Sequence, residues 1–272
     1  MNGCLSLRFE RRGPCTVLTE SRSSLPLQAS KPMELDGSGS VCVTLLNPTG
    51  GLLGGDCLTT EIDLAQGAHV VLTTPSATKV YRSNSGPSRH HTTINLAEDA
   101  VLEYLPDHII PHPGSSLDQL LSVNLRAGSR AIILDGFAVG RVARQEMWLF
   151  EELKTELLVS RDGQPIFRDR IRIRPGAWTP SGLGGMEGAA YAATMLLCGG
   201  SDLDWNETAD AFTGWFLEDS NSVGAASAIA NGGCLLRYQT HSAHCLTQTT
   251  RALWAKARHT LLGQPSLELR KD

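Results

Sequence analysis

Three aspartates stand where the alternation of a β-strand would turn a carboxylate away from water. Asp56 shares even parity with Leu58, Ile62 and Leu64, and Asp169 shares odd parity with Phe167, Ile171 and Ile173. Asp135 directly follows Ile132, Ile133 and Leu134 and precedes Gly136 and Phe137. Successive strand side chains point to opposite faces, so the first two carboxylates join the apolar face and the third is buried whichever face it takes. A buried charge needs a partner or a task. Lys79, Arg82, Arg141 and Arg170 are available as ion-pair partners, and a capped turn would also satisfy a carboxylate. Taken together, the three could instead line an internal polar passage, in which hydrated carboxylates hold a divalent cation weakly enough to release it. A rival reading makes Asp135 and Asp169 the acid and base of a β-solenoid carbohydrate-active enzyme, but such clefts use aromatic platforms and aromatic residues are 6% here.

Other groups suggest chemistry less strongly. The loop 47–56 (NPTGGLLGGD) carries Gly50, Gly51, Gly54 and Gly55 after Pro48, which lets backbone amides approach a ligand closely. A phosphate loop would need G-x-x-x-x-G-K-S/T, whereas Gly55 is followed by Asp56, whose charge repels phosphate. The glycines read better as a wide hairpin turn between strands 41–46 and 57–64. His90, His91, His108 and His112 could ligate a metal, but none has a full ligand set at recognised spacing, so no tight metal site is expected. Neither G-x-S-x-G nor H-E-x-x-H occurs, which lowers the expectation of an enzyme.

The elements that must position these residues are mostly strands. From residue 41 to about 174, short apolar runs separated by Gly, Pro, Asn and Asp predict strand after strand. The turns beginning at Leu64, Leu96 and Leu125 echo one another at intervals of 32 and 29 residues, each followed by an apolar strand. Repeats of that length, with about two strands each, point to a stacked β-solenoid or a layered sandwich. The expected architecture is therefore mainly β: a stacked β region over 1–175 and a small C-terminal α/β layer over 176–272, within one domain. A linker-like stretch around Pro175, Gly176 and Pro180 precedes that layer. It is expected to hold a short helix capped near Asp204 and a final helix over 242–262 ended by Gly263 and Pro265. In the final helix Leu246, Leu253, Trp254, Ala257 and Leu261 form the apolar stripe, with Arg251, Lys256 and Arg258 facing elsewhere.

Composition narrows the class. The chain has 272 residues, 41% of them hydrophobic and 19% charged, enough for a substantial core. A net charge of −4 without a basic run argues against nucleic acid. No stretch reaches the about 18 apolar residues of a membrane span. The N-terminal residues lack a signal-peptide core, so a cytoplasmic location is expected. Seven scattered cysteines with no Cys-x-x-Cys pair suit reduced thiols.

The loop 47–56 resembles the Pro-x-Gly-Gly-x-x-Gly-Gly-Asp element of the UreD (UreH) family of urease accessory proteins. Residues 77–83 (ATKVYRS), with Thr78, Lys79, Tyr81 and Arg82, are similar to its next signature. Residues 102–106, Gly140-Arg141, 168–170 and the 254–263 helix also resemble segments of that family, so the likeness covers nearly the whole chain. It implies a non-enzymatic β-helical scaffold that joins UreF and the GTPase UreG, docks on apo-urease and helps deliver nickel to the urease centre. It further implies an interior tunnel for transient nickel, with Asp56, Asp135, Asp169 and Thr78 beside Lys79 as the matching positions. A stand-alone nickel-storage protein using the four histidines is the remaining alternative; it would bind nickel tightly and stoichiometrically.

Overall fold

The computed structural model describes residues 1–177, 181–182, 184–200 and 202–269. Pro180, part of the predicted linker, lies outside them. In the strand Cys57–Leu64 the alternation is realised residue by residue, with Leu58, Thr60, Ile62 and Leu64 buried and their odd-numbered neighbours exposed. This strand belongs to a seven-stranded sheet ordered Gln164–Ile173, Glu152–Arg161, Ser116–Leu125, Ser88–Leu96, Cys57–Leu64, Asn2–Arg12 and Cys15–Ser23. A second sheet runs Val223–Ile229, Gly233–Thr240, Tyr191–Cys198, Arg130–Ala138, Val101–Leu105, His69–Thr73, Val41–Leu46 and Gln28–Ala29 along its main path.

Between residues 41 and 161 the chain alternates between the two sheets, and like strands stack in parallel. The result is a β-solenoid of about four turns, as the spacing of the turns predicts. Leu64 lies in register with Leu96, and Asn95 with Asn124, so the 32- and 29-residue intervals are coil lengths. Each turn is closed by its own bond, Ala68 N–H to Ala65 O (3.0 Å), Ala100 N–H to Ala97 O (3.2 Å) and Ser129 N–H to Arg126 O (3.1 Å). Gly67 N–H and Asp99 N–H then bond to Glu98 O and Ala127 O on the next coil. On the solvent face Ser160, Asn124, Asn95 and Asp63 form a side-chain ladder across four strands, each step 2.8 Å.

The hairpin expected around the glycine-rich loop is not formed. Val41–Leu46 and Cys57–Leu64 lie in different sheets, so residues 47–56 turn a corner of the coil. A solenoid needs such a corner wherever its chain passes from one layer to the other.

The C-terminal strands Tyr191–Cys198, Val223–Ile229 and Gly233–Thr240 extend the second sheet antiparallel to one another and to Arg130–Ala138. Two helices cover its outer face, α1 (Trp205–Glu218) and α2 (Ala243–Leu262). Asp204 caps α1 by accepting the N–H of Asn206 and Glu207, Ser242 caps α2, and Gly263 ends α2 in the left-handed region at φ 63°. With a sheet on one side and helices on the other, His69–Thr73 is buried along its whole length. Leu246, Leu253, Trp254, Ala257 and Leu261 form the buried stripe of α2, as predicted. Arg258, expected to face elsewhere, is fully buried beside them. One turn beyond Trp254, it shares that face, and its charge is met by Glu103 (3.0 Å) and Asp36 (2.8 Å). Among the described residues no helix is long and apolar enough to cross a membrane.

Candidate functional site

The inner faces of the two sheets are apolar over most of their area but not throughout. His90, Gln119 and Thr155 stand in register on three neighbouring strands of the seven-stranded sheet, Gln119 and Thr155 within apolar sets and His90 between the buried hydroxyls of Ser88 and Thr92. Facing them from the second sheet is Asp135, whose Oδ1 accepts a long bond from Gln119 Nε2 (3.4 Å). Asp135 is in register with Thr194, and Thr194 with Arg237. Arg237 Nη2 reaches across to Asp169 Oδ1 of the opposite sheet at 2.6 Å. A polar band therefore runs between the layers.

Two cavities meet at Asp135. One, of about 290 Å³, is lined by Phe137, Ile171, Thr194, Arg237 and Gln239. The other, of about 160 Å³, reaches Thr60, His90, Tyr104, Gln119, Thr78 and Lys79. Asp135 is the residue common to both linings. Burial pushes its carboxyl up to about 6, with the nearby Asp169 charge adding to the rise, while bonds from Thr155, the Gly136 backbone and Gln119 oppose it. The same burial raises the Tyr104 hydroxyl, helped by the Asp135 charge.

The glycine-rich corner forms a wall of the smaller cavity through Gly50, Gly51 and Leu52. It is laid directly on the segment carrying Lys79 and Tyr81: Leu52 N–H bonds to Lys79 O and Tyr81 N–H to Leu52 O, both 2.8 Å. Gly51 has φ 156°, and a Cβ there would sit 2.5 Å from Lys79 O, so no side chain fits. Tyr81 Oη also donates to Gly50 O (3.2 Å). The two sequence signatures are thus one packed unit, and Pro48 lies exposed at its rim.

Asp56 and Asp169 turn inward as parity predicted and Asp135 faces the other sheet; of the three, Asp135 and Asp169 are near enough for the charge of one to act on the other. Asp56 is 5% exposed and lines neither cavity. Its oxygens accept from Leu53 N–H (2.9 Å) and lie 2.7 Å from the Met1 nitrogen, so it closes a turn. The basic partners suggested by sequence are engaged elsewhere or stand apart. Arg141 pairs with Glu146, Arg170 with Glu156 (2.8 Å), Arg82 lies on a segment whose backbone bridges to Ser115, and Lys79 is exposed. The histidines are dispersed: His90 faces the cavity, His91 faces solvent, and His108 and His112 meet the rings of Tyr191 and Tyr81 edge-on. Among the described residues no group of three or more His, Cys, Asp or Glu is placed to hold a metal.

Sequence reasoning missed Gln119, Thr155 and Arg237. The first two carry a usable signal, for each interrupts an apolar set: Leu117, Leu121, Val123 and Leu125 around Gln119, and Leu153, Leu157 and Val159 around Thr155. Arg237 carries none, because it is an exposed charge on a strand whose other face is buried, which by parity reads as a solvated residue.

The model of the UreD urease accessory protein family matches residues 1–272. The chain belongs to the UreD family. It is 31% identical over 273 residues to a urease accessory protein UreD of Actinomyces naeslundii, covering 99% of this chain and 98% of that one. A UreD of Dechloromonas aromatica is 32% identical over 278 residues, covering 97% and 91%, and one of Deinococcus radiodurans 30% over 273 residues, covering 99% and 94%. The resemblance read from the two packed signatures therefore extends along the full chain of these UreD proteins.

Proposed function

We propose that this protein is a urease maturation factor. In this reading it is a cytoplasmic scaffold that makes no bond of its own, binds apo-urease together with UreF and the GTPase UreG, and lets nickel pass through the polar space between its sheets. The observation that carries it is the placement of Asp135 at the junction of two inter-sheet cavities with Asp169 beside it. Nickel is cargo here. A lining of one or two carboxylates with hydroxyl and amide oxygens holds a dication loosely, which suits transfer. Thr78 and Lys79 stand at the wall where the smaller cavity meets the glycine-rich corner, and Asp56 acts by bracing that corner from behind.

The test is coexpression with urease subunits and the other accessory proteins, comparing wild type with Asp135→Ala, Asp169→Ala and Asp56→Ala. Nickel content and activity of the urease should fall most with Asp135→Ala and least with Asp56→Ala. Full nickel loading with both Asp135→Ala and Asp169→Ala would remove the passage.

A further inference from the structure

Among the described residues that line the smaller cavity, His90 is the one imidazole. It stands in register with Gln119, the residue that bonds Asp135, and its Nε2 lies 3.1 Å from Thr60 Oγ1 and 3.5 Å from Thr92 Oγ1. Of the other side chains lining that cavity, Thr60, Thr78, Gln119, Tyr104 and Asp135 offer oxygen or amide groups, and Lys79 carries an ammonium that cannot ligate a cation while protonated. Oxygen donors alone suit Mg²⁺ and Ca²⁺, whereas imidazole suits nickel, copper and zinc. A passage lined by oxygen alone would fill with the abundant hard cations.

We propose that His90 is the residue that makes this passage selective, lending one imidazole nitrogen to a borderline transition-metal dication as it crosses and thereby favouring it over Mg²⁺. The inference rests on the passage reading above and deepens it. The ring of His90 is turned into the cavity wall, where Nε2 faces the Thr60 and Thr92 hydroxyls. A single nitrogen among hydroxyls gives preference without a trap, consistent with the lack of a multi-ligand cluster among the described residues. His91, one residue along on the solvent face, serves as the internal control.

The experiment uses purified apo-urease assembled with the accessory proteins, limiting Ni²⁺, and Mg²⁺ either absent or millimolar, with metal content of the urease as readout. His90→Asn keeps a polar group of similar reach without the imidazole. It should load nickel nearly normally without Mg²⁺ and lose about tenfold when Mg²⁺ is added, whereas wild type and His91→Asn should be insensitive to it. Asp135→Asn should lose loading under both conditions. If His90→Asn resists Mg²⁺ like wild type while Asp135→Asn fails, the assignment to His90 is overturned and the passage stands. If Asp135→Asn also loads normally, the passage and the proposal fall together. Melting curves of each variant, alone and in the complex, identify loss caused by unfolding, and His90→Gln then repeats the comparison with a second neutral side chain.

Discussion

At the scale of single residues, Asp135 carries a conflict between stability and use. Its carboxyl is raised from 3.8 to about 6 by burial, so the folded chain holds the proton more tightly than the unfolded chain does. Its contribution to stability is fully present below the unfolded value, declines as pH rises through about 6, and is level above that. Asp135→Asn should therefore stabilise the fold at pH 7 by on the order of 2 kcal/mol and flatten that part of the pH dependence. Urea denaturation at pH 4, 6 and 8 would check this, and an unchanged slope would refute the assignment. The same substitution should abolish nickel transfer, a trade of function for stability typical of sites that keep a costly group. In the wild type, transfer should weaken as the pH falls below about 6, because a protonated Asp135 no longer attracts a cation.

At the scale of elements, α2 is fastened to the solenoid by a buried charge network as well as by its apolar stripe. Glu103 is fully buried and accepts from Trp254 Nε1 (2.6 Å), Arg258 Nη1 (3.0 Å) and His69 Nε2, 2.8 Å away. Arg258 in turn holds Asp36, Gln264 and the carbonyl of Pro265, tying the end of α2 to an N-terminal loop. Removing one member of such a buried pair strands the other charge, so Arg258→Met should cost about 3–5 kcal/mol. Glu103→Gln combined with Arg258→Met should cost less than the sum of the two single changes. Chemical denaturation of the singles and the double measures the coupling, and strict additivity would show that the charges act independently.

At the scale of the whole molecule, the second sheet is a shared wall, with the inter-sheet polar band on one face and the helices on the other. A chain ending at residue 241 would bare the face covered by Leu246, Leu253, Trp254 and Leu261. Exposed apolar area of that kind drives association, so the truncated protein should elute as oligomers and bind a hydrophobic dye, while the full chain does not. Monodisperse behaviour of the truncated protein would mean that α2 is dispensable to the fold.

The sequence by itself determined the coil length, the inward turn of Asp56 and Asp169, and both helices with their caps. These follow from chain-local rules: alternation in a strand, periodicity in a helix, and turn chemistry at Gly and Asp. Only the tertiary structure decided that the charge of Asp169 acts on Asp135 while Asp56 closes a turn, that Arg237 is the partner of Asp169, and that Arg258 is buried against Glu103. Parity states which face a side chain takes, but the identity of what lies opposite depends on how two layers are stacked. That stacking joins residues separated by as many as 222 positions, as Asp36 and Arg258 are, and no local pattern encodes it.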